Sequence, residues 1–294
     1  MAQSDTLYRY LFENYQVRGE LVQLDQTLQT ILNQQHYPSR IRQLLAEMLA
    51  ATSLLTATLK FEGDITVQMQ GQGPLHYIAI NGNHRQQMRG VARWDETRFD
   101  EHASLADLIG EQARLVITIT PANGERYQGM VALDPSGIAA SLEHYFAQSE
   151  QLPTRIWLFY QEDKTQPCCG GMLVQQLPAN GSQVVDDFQH VCELTHTMTH
   201  QEFFTLPTEE LLYRLYHQEQ VQLFEPQPIS FSCTCSKERC QSALFSMDEE
   251  ELLQICEEQG AISMHCEFCG THYHFNKADI TRLFHGSQSD PIVH

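Results

Sequence analysis

Basic residues are scarce. Lys and Arg number 18 against 37 Asp and Glu, a formal net charge of −19. That deficit opposes non-specific binding to phosphate backbones and to anionic membranes, both of which call for clustered cations. Long apolar runs are also missing. The longest, residues 44–59, holds Glu47 and several Thr and Ser, and is too short to span a bilayer. The chain opens Met1-Ala2-Gln3-Ser4-Asp5, with no basic segment before an apolar one, so no secretory signal is expected. There is no P-loop, no G-x-G-x-x-G and no G-x-S-x-G. Nucleotide hydrolysis and acyl transfer are therefore not expected, and no catalytic residue is assigned. These absences together predict a soluble cytoplasmic protein that is not an enzyme and has neither nucleic acid nor membrane as a partner.

What is present is a globular chain. Its 294 residues are 42% hydrophobic, enough for a real core and for roughly two domains. Nine cysteines remain to be explained. The cytosol keeps thiols reduced, so metal binding or redox chemistry is expected of them rather than structural disulfides.

Pro38-Ser39 marks a helix start, after which Leu45, Met48, Leu49, Thr52, Leu55 and Leu59 recur at helical spacing. Residues 65–69 alternate as a half-buried strand. A turn at Gly71-Gln72-Gly73-Pro74 leads to a strand over 75–80, ended by Asn81-Gly82-Asn83. Strands over 115–120 and 126–133 flank Asn123-Gly124, a hairpin signal. A helix over 138–146 and strands over 156–160 and 172–177 follow. The fold class predicted is α+β, with a mainly antiparallel sheet packed by helices.

Around Leu177-Pro178-Ala179-Asn180-Gly181-Ser182 the composition shifts to loop residues. The predicted organisation is a core domain over 1–178, a helical linker over 179–231 and a small module over 232–294. The linker carries a net charge of −7. Phe188, Val191, Cys192 and Thr195 form one narrow apolar stripe; Leu211, Leu212, Leu215 and Tyr216 form another. Pro207-Thr208-Glu209-Glu210 is a helix start whose acids suit the helix dipole. Such a segment is expected to be helical only while docked on another surface, here the sheet of the first domain.

In the last module, Cys233-Thr-Cys235 and Cys266-Glu-Phe-Cys269 lie 30 residues apart. Two short-spaced pairs offer the four vertices of a tetrahedron, which predicts one Zn2+ per chain. Gly270 beside the second pair suits a tight turn. Cys240, Cys256, His265, His272 and His274 compete as ligands. Cys256 falls in an expected helix over 249–258 and reads as a core thiol; the histidines read as hairpin-surface or small-core residues. Four thiolates around one Zn2+ make either an electron-rich centre that oxidants disrupt or a purely structural ribbon, and the spacing alone leaves both open. The vicinal pair Cys168-Cys169 reads as two small residues at a strand entry, with a reactive dithiol as the alternative.

The chain resembles the redox-regulated heat shock protein 33 chaperone family along its whole length. The resemblance rests on Tyr10-Leu11-Phe12, Val17-Arg18-Gly19-Glu20, Thr56-Ala57-Thr58-Leu59-Lys60-Phe61 and Gln86-Gln87-Met88-Arg89-Gly90-Val91-Ala92-Arg93. Tyr145-Phe146, Ser149-Glu150-Gln151-Leu152-Pro153-Thr154 and the two cysteine pairs complete it. It implies an ATP-independent holdase, with zinc on Cys233, Cys235, Cys266 and Cys269 keeping the module folded and the linker docked. It also implies that oxidants form Cys233–Cys235 and Cys266–Cys269 disulfides and release zinc. The implied active form is a homodimer that binds unfolding client proteins. Cys168, Cys169, Cys192, Cys240 and Cys256 stand outside the family's four-cysteine pattern. Two other classes compete: a zinc-ribbon nucleic-acid binder, opposed by a module charge of −6, and a thiol–disulfide oxidoreductase, opposed by the lack of a thioredoxin-like unit around Cys266 and Cys269.

Overall fold

The computed structural model describes residues 5–59, 61–162, 166–178 and 183–286. Lys60 and the expected boundary segment Ala179-Asn180-Gly181-Ser182 lie outside them. The chain divides into two compact units, Met1–Ser232 and Cys233–His294.

The first unit is built around one buried helix. Strands β1 (Thr6–Phe12) and β2 (Val17–Leu24) pair antiparallel and lead into α1 (Gln26–Leu32) and α2 (Ser39–Thr58). Pro38 caps α2 at its start, and Leu59 leaves it in extended geometry. Almost every side chain of α2 from Leu44 to Leu55 is buried, so the helix is apolar nearly all round, as a core helix must be. Two of its buried hydroxyls are satisfied within the helix, Thr52 Oγ1 donating to the Met48 carbonyl and Thr56 Oγ1 to the Thr52 carbonyl, each at 2.7 Å, while Ser53 Oγ donates to Gln86 Oε1 at 2.8 Å.

The chain continues through β3 (Gly63–Gln70), β4 (Leu75–Asn83), β5 (Gln87–Trp94), α3 (Leu105–Ile109), β6 (Arg114–Pro121) and β7 (Tyr127–Ala132). In β3 the alternation is realised: Ile65, Val67 and Met69 are buried and their neighbours are not. Asn81-Gly82-Asn83 does not end β4, contrary to the expectation from sequence. The strand runs through Asn83, with Asn81 facing Thr66, Gly82 facing Ile65 and Asn83 facing Asp64. A side chain at Gly82 would collide with the Met88 sulfur, so this glycine makes room inside the sheet and does not turn the chain.

After α4 (Ile138–Tyr145) and a π-helical turn over Phe146–Glu150 come β8 (Thr154–Gln161) and β9 (Cys168–Gln176). The segment expected to be helical throughout is so only in α5 (Gln183–His196), α6 (His200–Thr205) and α7 (Thr208–Tyr216). It then turns into short strands β10 (Val221–Leu223), β11 (Gln227–Pro228) and β12 (Ser230–Phe231). Pro226 and Pro228 rule out helix here, and open strand edges supply the missing hydrogen-bond partners. β10 and β11 both pair with β1, and β12 pairs parallel with β5. One sheet therefore has the order β10-β1-β2-β9-β8, with β11 also on β1; the other runs β12-β5-β4-β3-β6-β7. The other strand pairings in the two sheets are antiparallel.

Helix α2 packs with the inward residues of both sheets in one continuous core. The opposite face of the first sheet, with Tyr8, Tyr10, Phe12, Val17, Leu21, Met172 and Val174, is covered by α5–α7. Both predicted stripes are used there: Phe188, Val191 and Thr195 are buried, as are Leu211, Leu212, Leu215 and Tyr216. Gln23 Nε2 donates to the Phe203 carbonyl at 2.6 Å, tying the sheet to the end of α6.

The second unit holds α8 (Lys237–Leu244), α9 (Glu249–Gln259), β13 (Ile262–His265), β14 (His272–Phe275) and α10 (Lys277–His285). Ser236, Asp248 and Asn276 cap the three helices with side-chain hydrogen bonds. Among the described residues its core consists of Leu244, Leu252, Cys256, Phe275 and Ile280, with a few half-buried neighbours. No described helix in either unit is long and apolar enough to cross a membrane.

Candidate metal centre

Two short loops of the second unit meet. Cys233 and Cys235 precede α8, and the spacer Thr234 is held by Arg239 Nη1, which donates to its hydroxyl at 2.7 Å. Cys266 and Cys269 sit in the β13–β14 hairpin loop. There the amides of Cys269 and Gly270 both donate to the Cys266 carbonyl, at 3.3 and 2.7 Å. Gly270 takes a φ of 67°, which a side chain would resist, so the glycine next to the second pair does make the turn.

The four sulfurs all lie within 4.8 Å of one another and are half-buried. The closest approaches are Cys235–Cys269 at 3.4 Å and Cys233–Cys266 at 3.6 Å. Both link one pair to the other, so the thiols close as one cluster and not as two separate couples. A tetrahedral ion with metal–sulfur bonds of about 2.3 Å needs sulfur–sulfur edges of about 3.8 Å. The closest edges lie just under that value and none exceeds 4.8 Å, and an all-thiolate donor set suits a soft or borderline ion. The four cysteines therefore fit a metal ion.

Hydroxyl groups reach two of the sulfurs. Tyr273 Oη donates to Cys235 Sγ at 3.0 Å, and the Thr271 hydroxyl lies 3.2 Å from Cys269 Sγ. Burial pushes the Cys266 thiol up to about 12, and its contact with Cys233 adds to that. Burial also raises Cys269, but hydrogen bonds from the Thr271 hydroxyl and amide, then from Cys235, outweigh it and draw the thiol down to about 6. A bound divalent ion removes the difference, since a coordinating thiol is deprotonated outright.

The competing ligands stand elsewhere. Among the described residues the four cysteines form the metal-competent group, and Cys240 and the histidines are not in it. Cys256 is a buried core thiol on α9. His265, His272 and His274 are exposed on the hairpin. Cys168 opens β9, and Cys169 is fully buried with its thiol held well above its usual range by burial. Cys192, half-buried on α5, is pushed up to about 12 by burial. Sequence reading missed Tyr273 and Thr271. The signal was the alternation in His272-Tyr-His-Phe275, which puts Tyr273 on the same inward face as Phe275.

The sequence model of the Hsp33 protein family matches residues 5–276. Proteins named 33 kDa chaperonin are close in sequence across the whole chain. That of Serratia proteamaculans is 53% identical over 290 residues, 99% of this chain and 98% of that one. Those of Cronobacter sakazakii and Escherichia coli K12 are 54% and 52% identical over 295 residues, the full length of both partners in each case. The crystal structure of the 33 kDa chaperonin, or heat shock protein 33 homolog, of Thermotoga maritima superposes with a TM-score of 0.82, covering 95% of this chain and 97% of that one. At 20% identity that likeness speaks for the fold. Because the sequence match runs through both compact units and takes in all four clustered cysteines, the chain belongs to the Hsp33 family of chaperones.

Proposed function

We propose that this chain is a redox-regulated, ATP-independent holdase of the cytoplasm, activated by oxidation. In the reduced state Cys233, Cys235, Cys266 and Cys269 hold one Zn2+ per chain. When bound, zinc cross-links two loops of a unit whose own core is too small to secure it; apparent binding energies of roughly 10–16 kcal/mol can be the folding energy of so small a module.

Oxidation acts on the sulfurs. Hypochlorous acid, or peroxide with heat, takes two electrons from each pair of thiolates and leaves as chloride and hydroxide, or as two hydroxides, which protons from solvent convert to water. The bonds formed are Cys233–Cys235 and Cys266–Cys269. A disulfide cannot serve as a thiolate ligand, so the cross-link is lost and the unit unfolds. Cys233 follows Phe231 by two residues, so unfolding that reaches it frays β12 from β5 next. Release of α5–α7 then uncovers Tyr10, Phe12, Leu21, Met172 and Val174, an apolar sheet face for unfolding client proteins. The active form is a homodimer. No residue is given a catalytic role.

The observation that carries this reading is the convergence of four thiols within 4.8 Å inside a unit with few buried side chains. The test is a client-aggregation assay on reduced and oxidised protein, with zinc release and disulfide mapping in parallel. Protection by the oxidised form alone is expected, with one zinc freed per chain. Equal protection by the reduced, zinc-loaded protein would overturn the reading. A dominant Cys233–Cys266 link, or one through Cys240, would overturn the connectivity.

A further inference from the structure

Away from the thiols, histidines gather on one face of the β13–β14 hairpin. The register pairs His265 with His272 and Ser263 with His274. Cys266 N donates to the Thr271 carbonyl at 2.9 Å. That makes Cys266–Thr271 the hydrogen-bonded pair and the next one, His265–His272, the non-hydrogen-bonded kind, in which opposed side chains stand closest. The other face, with Ile262, Met264, Tyr273 and Phe275, packs into the small core.

Three of the four outward positions of this ladder are therefore histidine, in a chain with 14 histidines among 294 residues. A solvent-facing strand position accepts any polar side chain, so exposure alone does not account for that choice. The ring centres of His265 and His272 are 6.0 Å apart. Those of His272 and His274 are 6.5 Å apart and stacked, with 11° between their planes. As the rings stand their nitrogens do not converge, but all three are exposed, and exposed side chains reorient within nanoseconds, so the nitrogens can be brought together on an ion. No hydrogen bond among the described residues occupies those nitrogens.

We propose that His265, His272 and His274 form a second, weaker site for a divalent transition-metal ion, with water completing its shell. Imidazole suits Zn2+, Ni2+ and Cu2+. The net charge of −6 over residues 232–294 raises the local concentration of cations. The hairpin that carries these rings also carries Cys266 and Cys269 in its loop, while the rings stand on the face opposite Tyr273, the side chain that reaches the thiol cluster. The site needs the folded hairpin, so on the function proposed above it exists only while the second unit is reduced and folded.

The test is calorimetric titration of Ni2+ into the reduced, full-length chain at neutral pH, with zinc already on its thiolates. One further equivalent is expected. Its affinity should fall roughly tenfold or more in His272→Gln, which removes the imidazole common to both ring pairs. A His265→Gln/His274→Gln double variant gives the same reading should His272→Gln fail to keep its zinc. Zinc is measured in the same samples. Zinc set free as Ni2+ binds would mean that Ni2+ had taken the thiolates, and would overturn the proposal. Unchanged Ni2+ affinity in these variants would overturn it as well.

Discussion

The first unit buries α2 on all sides, with Leu45, Leu49 and Leu54 each 0% exposed between two sheets. The second buries five side chains among its described residues, and one of those is a cysteine. Apolar area removed from water stabilises by about 25 cal/mol per Å2, so the first unit can stand on its own burial. The second has far less of it, beside four thiols placed where they could hold an ion. Helices α5–α7 fall between these extremes. They bury a good apolar face, but their interface encloses polar groups. The buried Tyr10 and Tyr216 hydroxyls interact with each other, and Tyr216 meets Thr195 at 2.6 Å. Sparse burial in the second unit, a one-sided apolar face under α5–α7 and burial on all sides of α2 suit the stepwise release proposed above.

Replacing a thiol ligand should break that ordering most severely. Cys266→Ser is expected to lose tight zinc binding, and with it much of the roughly 10–16 kcal/mol that a structural zinc can contribute. Metal analysis should find little zinc, and amide exchange should show residues 233–286 unprotected while α2 stays protected. Full zinc content would remove Cys266 from the ligand set.

Next in size is a matched pair of truncations, one on each side of the first sheet. Leu45→Ala and Leu215→Ala should each cost about 2–5 kcal/mol, but with different consequences. Leu45→Ala should lower the denaturation midpoint of the whole first unit without new cleavage in α5–α7. Leu215→Ala should leave the zinc in place and open residues 179–231 to protease. It should also suppress client aggregation while still reduced. A Leu215→Ala protein that is cleaved there yet still requires oxidant would move the switch from the helices to the second unit.

The smallest effect sharpens the α2 side. Glu20 is 1% exposed and accepts a hydrogen bond from Thr58 Oγ1 at 2.7 Å. Burial pushes its carboxyl up from 4.5 to about 7, against the pull of Thr58, Arg18 and Arg9. The folded chain therefore holds this proton over a window where the unfolded chain has released it. Stability from this group is fullest below about 4.5 and falls as pH rises through about 7. Urea midpoints at pH 5.5 and 8 should differ less in Glu20→Gln than in the parent. The same drop in both would place the titrating group elsewhere.

The first half of the chain was legible wherever one periodicity ruled. The helix over 39–58 and the alternation of Ile65, Val67 and Met69 follow from which side chains must leave water. The reading went wrong at Gly82, since a glycine that makes room for Met88 and a glycine that turns the chain look alike in sequence. It also went wrong over residues 217–231, where proline excludes helix but only an open edge on β1 and β5 makes strands of a few residues worthwhile. The partners of Gln23 and Glu20 were invisible for a related reason, as a buried polar side chain is tolerated only where a distant segment completes its hydrogen bonds.

By itself the sequence determined that four cysteines come in two close pairs, because ligand type and spacing are local and chemical. It likewise placed two narrow apolar stripes within residues 183–216, and the structure buries most of both. Tertiary structure alone decided that Cys240 stays outside the cluster, that Tyr273 and Thr271 reach the sulfurs, and that the end of the linker closes the edges of two sheets. Those outcomes depend on which distant surfaces meet, and contacts of that kind are set by packing across the whole unit.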